Sequence, residues 1–345
     1  MNNQKYRLLV VAQAVDADDA LFGFFVSWLK EASKSFDGLT VLTLRIGRHD
    51  LPSNVRVIPL RAKGSRSRFA VAWNLLRHSW RLRGTYDGVY VRGDTQYVVL
   101  VGWLWRSFGK RVILFYAHYT SRTPWLRPAS WFASHIVTSV RAANALPQAI
   151  PIGQAVDASR FAERHIHQLE RVSALVFGRV SPVKRVPWIL EEILKASADA
   201  GTRVKVVGRS TSVDEQTYLV STVERVHAEW EDRDVRNEDA PALYRGYDIF
   251  MNATPGSLDK TIVEAMMSGL IVVASTDGYG EMLPPDLAWL NPSDAEFGAS
   301  AVRAMGLSVT ERQTISHTLR EIAMERHSQS RQVAKLHRLF LNGTL

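Results

Sequence analysis

The stretch 248–275, DIFMNATPGSLDKTIVEAMMSGLIVVAS, restricts the fold of this chain more than any other. It predicts a strand over 248–253, a loop, a helix over 259–268 and a second strand over 270–274, with Gly269 placed to end the helix. The second strand is a continuous apolar run, which is typical of a parallel strand buried on both faces. Such a unit points the free N–H groups at the helix start toward the carboxyl edge of the sheet, where anions bind.

The same alternation of strands and helices extends along the chain. The other predicted strands are 6–12, 39–44, 55–59, 88–92, 111–116, 137–139, 149–152, 174–177 and 204–207. The other predicted helices are 21–35, 68–83, 95–107, 187–198, 215–228 and 310–341. This order predicts α/β architecture with doubly wound parallel sheets. A chain of 345 residues is long enough for about two such domains.

Composition excludes several classes of site. The chain contains no cysteine, so disulfides, thiolate metal sites and cysteine nucleophiles are absent. No cleavable signal peptide is evident, and no apolar run approaches the roughly 18 residues of a membrane span. We therefore expect a cytoplasmic protein.

Glu264 is a carboxylate among apolar residues of the predicted helix, and by itself it could be an ordinary solvated or paired charge. However, VEAMMSGLIVVAS resembles the donor-site segment of retaining glycosyltransferases with the GT-B fold, which use nucleotide sugars such as UDP- and GDP-hexoses. The resemblance implies two Rossmann-like domains facing a cleft, with Glu264 on the ribose hydroxyls of the donor.

In that family the loop before the helix binds the diphosphate and the sugar, which implies donor-binding roles for Gly256, Ser257, Leu258, Asp259 and Lys260. The family often has a glutamate at the position of Gly256, where it contacts the transferred sugar. This sequence departs from that pattern. Asp259 is the nearest substitute carboxylate, although an acidic residue at a helix start is also favourable on electrostatic grounds alone.

A second loop, GRVSPVKR, follows the predicted strand 174–177. Gly178 allows a sharp turn, and Arg179 and Lys184 place two cations on one loop, where they could stabilise a diphosphate leaving group. A solvated basic loop is the alternative. The loop resembles the family's diphosphate-binding loop, and Gly208, at the end of the next strand, matches the family's glycine near the nucleotide base.

Two loops of the first half are candidates for the acceptor side. The first contains Asp16, Asp18 and Asp19. Three interpretations fit their spacing: they bind a hard cation, they bind acceptor hydroxyls, or they place favourable negative charge before a helix. We favour the last two interpretations and predict no metal site. The second contains His118, after a strand. Family members commonly have a histidine there that contacts the transferred sugar, so we predict a catalytic role for His118, with a structural histidine as the alternative.

The net charge of +9 is concentrated in residues 61–83, RAKGSRSRFAVAWNLLRHSWRLR. Phe69, Trp73, Leu76 and Trp80 recur at helical spacing beside arginines, which is typical of a helix on an anionic membrane surface. The alternative is that this apolar stripe packs on the sheet. No nucleic-acid-binding motif is present, so we predict no nucleic-acid partner.

Residues 151–165 resemble the family's interdomain hinge at Gly153, Asp157 and Phe161. This predicts a first domain over 1–160, on the acceptor side, and a nucleotide-sugar-binding domain over 161–324. A terminal helix over about 325–345 is expected to pack back onto the first domain.

The sequence therefore predicts a retaining, metal-independent hexosyltransferase that needs no cofactor beyond its nucleotide-sugar substrate. Its acceptor would be a glycan or a lipid-linked glycan of cell-surface polysaccharide or glycolipid synthesis, reached from the cytoplasm or the inner face of the plasma membrane. Two alternatives stay open: a non-catalytic binder of nucleotide sugars, and an isomerase or phosphorylase on the same fold.

Overall fold

A computed structural model describes residues 5–19, 21–61, 67–117, 124–143, 146–162, 172–256 and 258–345. The chain forms two compact units. The first comprises Met1–Asp157 with Gln329–Leu345, and the second comprises Ala158–Ser328.

The first unit contains a seven-stranded sheet in its described part, with every adjacent pair of strands parallel. The strand order is β3-β2-β1-β4-β5-β6-β7. The bounds are β1 Arg7–Val15, β2 Gly38–Ile46, β3 Val55–Pro59, β4 Gly88–Arg92, β5 Arg111–Phe115, β6 His135–Thr138 and β7 Ile150–Pro151. Long apolar runs in the central strands are buried because helices cover both faces of the sheet.

Two separate cores lie on the two faces of this sheet. Helix α1 (Phe24–Ala32) and the C-terminal helix α12 (Gln329–Asn342) cover one face. Helices α2 (Arg68–Arg81), α3 (Thr95–Ser107) and α4 (Leu126–Phe132) cover the other. At Gly102 a Cβ atom would lie 2.6 Å from the Cβ of Phe132, so glycine allows α3 and α4 to approach closely.

The second unit contains a five-stranded parallel sheet in its described part, in the order β10-β9-β8-β11-β12. Its strands are β8 Ala174–Phe177, β9 Val204–Val207, β10 Glu229–Glu231, β11 Ile249–Asn252 and β12 Ile271–Ala274. Its helices are α5 Val186–Ala196, α6 Val213–Val226, α7 Ala240–Arg245, α8 Lys260–Met267, α9 Asp277–Gly280, α10 Phe297–Met305 and α11 Val309–His327. Gly269 ends α8 with φ +80°, a conformation that glycine adopts without steric cost.

The prediction of continuous helix over 310–341 is wrong at one residue. Ser328 has extended backbone angles (φ −66°, ψ 149°) and separates α11 from α12. The backbone N–H of Gln329 donates instead to the carbonyl of Val156, 2.8 Å away, which fastens the returning chain to the first unit. There the side chain of Gln332 accepts a hydrogen bond from Trp28 Nε1 (2.9 Å) and donates to the carbonyl of Gly153 (2.6 Å).

None of the helices traced in the described ranges combines the length and the apolar character needed to cross a membrane.

Candidate functional site

The order of strands in the second sheet reverses direction between β8 and β11. Ligands of doubly wound sheets bind at such a switch point, beyond the carboxyl ends of the strands. A cavity lies there, and its lining includes Gly178, Arg179 and Lys184 from the loop after β8 and Asn252 from the end of β11. The structure thus brings together Arg179 and Lys184, which the sequence assigned to the donor diphosphate, with Gly178, which it assigned to the turn of the same loop.

Two glycines make this edge of the sheet possible. A Cβ atom on Gly208 would lie 1.9 Å from the carbonyl oxygen of Gly178, closer than any side chain allows. Gly178 itself has φ +137° and donates its N–H to the carbonyl of Val207 at 3.1 Å. The loops after β8 and β9 can therefore lie against each other only while position 208 lacks a side chain, whereas Gly178 is favoured by its positive φ alone.

The side chain of Lys184 is held at the edge of the cavity by an ion pair. Its Nζ forms an ion pair with Oδ2 of Asp259, the residue that precedes α8. The same Oδ2 accepts hydrogen bonds from Asn252 Nδ2 (3.0 Å) and Thr254 Oγ1 (2.8 Å). Asp259 and Lys184 are both largely buried, with 15% and 22% of their side chains exposed. The carboxylate therefore joins three chain segments at the cavity edge.

Arg179 and Lys184 differ in their surroundings. Arg179 is exposed at the mouth of the cavity, whereas Lys184 is held by a carboxylate. A diphosphate at this edge would meet Arg179 directly, and it would meet Lys184 as one member of a charged pair.

The loop between β11 and α8 is built to turn sharply. Gly256 has φ +74°, in the left-handed region that favours glycine. The N–H of Thr254 donates to Asn252 Oδ1 (2.9 Å), and Leu258 is buried. Ser257 lies outside the described residues. Lys260 begins α8, so its amide is among the first of that helix.

Glu264 lies in the middle of α8 and is buried, with 7% of its surface exposed. Its Oε2 accepts a hydrogen bond from the hydroxyl of Tyr244, 3.1 Å away on α7. Burial raises the pKa of Glu264, while the cation of Lys260, the Tyr244 hydrogen bond and the cation of Arg160 act in the opposite direction. An ordinary solvated helix charge is therefore the wrong interpretation for Glu264.

The sequence analysis did not single out Asn252, Thr254 or Tyr244. These residues donate hydrogen bonds to the carboxylates of Asp259 and Glu264. Asn252 had a signal: it is a polar residue that ends an otherwise apolar strand at the ligand edge of a sheet. Tyr244 had none, because an aromatic residue on a short helix is ordinarily part of the core. Burial and the nearby charge of Glu264 raise the pKa of Tyr244 well above the usual value for tyrosine.

The three aspartates after β1 are engaged within the first unit. Asp16 Oδ1 accepts from the N–H groups of Asp18 and Arg48, both at 3.1 Å. Asp18 forms a two-pronged pair with Arg48, at 2.6 and 3.0 Å. Asp19 accepts from the N–H groups of Leu21 and Phe22 and pairs with Arg45 at 2.8 Å.

These contacts give the aspartates a structural role in joining the ends of β1 and β2. Asp18 keeps 55% of its side chain exposed, so it is the member best placed to meet a ligand. Within the described ranges, no group of three His, Asp or Glu residues is arranged to hold a metal ion. His118 lies outside the described residues, and its predicted role stays a prediction.

Comparison with known proteins gives one family match. The sequence profile described as Glycosyl transferases group 1 matches residues 171–305. A search of curated protein sequences gave no match.

Solved structures resemble the chain over nearly its whole length. HepE of Anabaena in complex with UDP-glucose is 17% identical, with a TM-score of 0.68 over 96% of this chain and 99% of that one. The apo lipopolysaccharide outer core galactosyltransferase WaaB is 12% identical (TM-score 0.66; 94% and 97% covered). WaaG, a glycosyltransferase involved in lipopolysaccharide biosynthesis, is 13% identical (TM-score 0.63; 97% and 100% covered). At these identities the likeness shows the fold alone, and that fold is the predicted pair of Rossmann-like domains, GT-B.

Proposed function

We propose that this chain, whose residues 171–305 match the profile of group 1 glycosyl transferases, is a retaining enzyme that transfers a hexose from a nucleoside diphosphate sugar. The observation that carries this proposal is the cavity at the switch point of the second sheet, which Arg179 and Lys184 line together. The leaving group of the reaction is a diphosphate that departs with about two negative charges, and fixed cations stabilise such a group where it forms.

Each predicted donor residue has a distinct task in this proposal. Arg179 binds the diphosphate from the open side of the cavity. The first amides of α8, beginning at Lys260, face the same charge from the helix start. Glu264 accepts hydrogen bonds from the ribose hydroxyls, and Tyr244 holds its carboxylate in place. Gly208 lets the nucleotide base approach the backbone.

Asp259 takes the place of the carboxylate that Gly256 lacks. Its Oδ2 already accepts from Lys184, Asn252 and Thr254, so its Oδ1 is the atom we assign to the hydroxyls of the transferred sugar. In the same arrangement Lys184 is held near the diphosphate by a partner that remains in place after the leaving group departs.

The reaction needs no strong protein base. An oxygen of the departing diphosphate, on the face that the acceptor attacks, accepts the proton of the acceptor hydroxyl, and the new bond forms with retained anomeric configuration. His118 and Asp18 are the residues we assign to the sugar and acceptor sides. We propose a glycan or lipid-linked glycan as the acceptor, in cell-surface polysaccharide or glycolipid synthesis at the cytoplasmic side of the membrane. Resemblance to HepE with UDP-glucose and to WaaB supports testing UDP-hexoses first.

The test is turnover of UDP-, GDP- and ADP-hexoses, with and without lipid-linked acceptors, alongside binding of the free nucleoside diphosphates. We expect one base to be preferred, slow hydrolysis without acceptor, and a product with the donor's anomeric configuration by NMR. Asp259→Asn should lower turnover far more than affinity for the free diphosphate. If a nucleoside diphosphate binds but no sugar is released with any donor, the non-catalytic alternative replaces this proposal. An inverted anomer in the product would exclude the retaining mechanism.

A further inference from the structure

Large apolar side chains are exposed on the helices that cover one face of the first sheet. Phe69 on α2 is 90% exposed and Trp131 on α4 is 76% exposed. Four tryptophans of the same helical layer are also exposed: Trp73, Trp80, Trp103 and Trp125, the last of which immediately precedes α4. A folded protein ordinarily buries such residues, and contiguous exposed aromatic groups mark a surface that binds something.

These side chains are not the ones that hold the helices on the sheet. Helix α2 packs through Val71, Leu75 and Ser79, which are buried, while Phe69, Trp73 and Trp80 lie on its other side. The alternative interpretation, that this apolar stripe packs on the sheet, is therefore wrong for its aromatic members and holds only for Leu76, which is partly buried against the core. Residues 62–66 of the predicted basic segment lie outside the described residues.

The layer is wider than the predicted segment 61–83. Helix α2 packs beside α3, and α3 packs beside α4, so their outer sides adjoin. Trp103 on α3 and Trp131 on α4 extend the aromatic surface beyond the residues that the sequence had singled out.

The charged residues within the three helices have one sign. The three helices contain no Asp or Glu, and they carry Arg68, Arg77, Arg81, Arg106 and Arg127, all exposed. Arg83, just after α2, lies with its guanidinium 4.9 Å from the centre of the Trp80 ring. Arginines beside exposed tryptophans combine attraction to anions with side chains that favour the boundary between water and acyl chains.

We propose that the outer side of α2, α3 and α4 is a docking face for the surface of an anionic lipid bilayer. This membrane face lies on the bilayer without crossing it. The inference goes beyond the proposed transferase activity, because the face belongs to the first unit and does not include the donor cavity of the second.

The charges and the side-chain types on this membrane face favour a bilayer over two other occupants, a second copy of the chain and a single-stranded nucleic acid. A second copy of the chain would bring the same arginines against each other, and no carboxylate of these helices would compensate them. A single-stranded nucleic acid would meet the arginines, but the aliphatic Leu100, which is also exposed on α3, gives no surface on which a base stacks. A bilayer accepts aliphatic and aromatic side chains together.

Sedimentation with lipid vesicles tests the proposal. The full chain should bind vesicles of equal parts phosphatidylcholine and phosphatidylglycerol, and should bind phosphatidylcholine vesicles much more weakly. Arg77→Glu with Arg81→Glu should weaken binding about 25-fold or more, since each arginine contributes about a fivefold factor near an anionic surface. Trp73→Ala with Trp131→Ala should weaken it about tenfold or more through lost apolar burial.

A matched pair of substitutions separates a docking face from net charge. Arg331 and Arg338 are exposed on α12, which covers the opposite face of the same sheet and bears no exposed tryptophan. Arg331→Glu with Arg338→Glu changes the net charge by the same amount and should leave most vesicle binding intact. Equal loss in both pairs would overturn the proposal, as would the absence of binding to anionic vesicles.

Two further measurements complete the test. Every variant should bind nucleoside diphosphate as the unmodified chain does, which shows that it is folded and that the donor site is independent of this face. If the chain instead dimerises without lipid and the tryptophan variant is monomeric, the face is a contact between copies. If it binds single-stranded DNA as tightly as anionic vesicles, attraction to polyanions replaces lipid docking.

Discussion

Asp259 is the residue whose role changes most between sequence and structure. At the start of a helix it has a ready explanation as a favourable charge, yet its side chain makes no capping hydrogen bond to α8. It accepts instead from Lys184, Asn252 and Thr254. The carboxylate and the lysine are therefore one charged unit at the cavity edge, and removing either member changes the other.

Lys184→Ala should lower the free energy of unfolding by about 1–2 kcal/mol, because it leaves a largely buried carboxylate without its cation. Adding Asp259→Asn to that variant should recover part of the loss. Urea unfolding of the two variants measures both effects. Lys195→Ala, which removes an exposed lysine from a pair with Glu192 on α5, is the control and should change little. A Lys184→Ala protein as stable as the unmodified chain would show that the pair does not form.

Glu264 predicts a specific dependence of stability on pH. Burial raises its pKa above the ordinary 4.5 in the folded state, so the native protein retains a proton that the unfolded chain releases. Stability contributed through this group is present below pH 4.5 and falls as the pH rises from 4.5 to the folded pKa. Glu264→Gln should remove that fall. The free energy of unfolding of the unmodified chain and of Glu264→Gln, measured across this pH range, tests this. Equal slopes of that free energy against pH in the two proteins would contradict the assignment.

Glu311 provides a contrast within the same unit. Its carboxylate accepts from the hydroxyl and N–H of Ser308, and these hydrogen bonds lower its pKa. Its contribution is therefore present above the unfolded pKa and is lost as the pH falls, so Glu311→Gln should change the pH profile in the opposite sense to Glu264→Gln.

Glu264 also predicts selectivity for ribose. A carboxylate that accepts from both ribose hydroxyls loses one partner with a 2′-deoxynucleotide, which costs about 1.5–3 kcal/mol for a bond to a charged group. Glu264→Gln should bind ribonucleotide more weakly and should discriminate less against the 2′-deoxy analogue. Titration calorimetry with both ligands measures this, and Tyr244→Phe, which keeps the carboxylate, should preserve most of the discrimination.

At the scale of elements, the contact between the loops after β8 and β9 fixes the shape of the donor edge. A methyl group at Gly208 would overlap the carbonyl of Gly178, which is backbone and cannot rotate away. Gly208→Ala should therefore destabilise the second unit by about 3 kcal/mol and abolish nucleotide binding.

Gly246→Ala is the matched control in the same unit. Its φ is −78°, and an added Cβ would lie 3.4 Å from the nearest atom, the carbonyl oxygen of Leu243. Stability should change by no more than about 1 kcal/mol. Thermal unfolding measures the stability of both variants. Equal losses of stability in Gly208→Ala and Gly246→Ala would contradict the close approach of the two loops.

The sequence predicted the strands that carry the site because their apolar runs are continuous and their ends are marked by glycine or polar residues. Observed β11 and β12 lie within the predicted ranges 248–253 and 270–274. Helix α4 was missed because LRPASWF is short and contains a proline. The break between α11 and α12 was missed because Ser328 is neither glycine nor proline; the hydrogen bond of Gln329 to Val156, distant in sequence, determines it.

The candidate site was predictable only in part, for a similar reason. Local pattern and family resemblance predicted Arg179, Gly178 and Glu264 as residues of this site. The pairing of Lys184 with Asp259, and of Glu264 with Tyr244, depends on segments that the fold brings together from distant parts of the sequence. Local patterns do not encode which charged side chains meet.

At the scale of the whole molecule, the chain completes its first unit with its last helix. Val333, Leu336, Leu339 and Phe340 of α12 are buried in the core that also contains Trp28. Their burial contributes about 6–12 kcal/mol at 1.5–3 kcal/mol for each side chain, which is comparable to the entire stability of a domain.

Removal of residues 329–345 should therefore leave the first unit unable to fold cooperatively. Calorimetry should show the loss of its unfolding transition, and removal of the exposed Thr344 and Leu345 alone should leave that transition unchanged. A truncated chain that unfolds like the full one would show that α12 is dispensable.

The central claim is that the cavity at the switch point of the second sheet binds the diphosphate of a nucleotide sugar. Titration calorimetry with the preferred nucleoside diphosphate and with its parent nucleoside tests this claim most directly. The proteins to compare are the unmodified chain, Arg179→Ala and the control Arg225→Ala, which removes an exposed arginine of α6. Arg179→Ala should weaken diphosphate binding about tenfold to a hundredfold and leave nucleoside binding nearly unchanged, because it removes one charge-assisted contact to phosphate. Arg225→Ala should change neither affinity. Equal losses for diphosphate and nucleoside in Arg179→Ala, or no binding of any nucleoside diphosphate to the unmodified chain, would contradict the account.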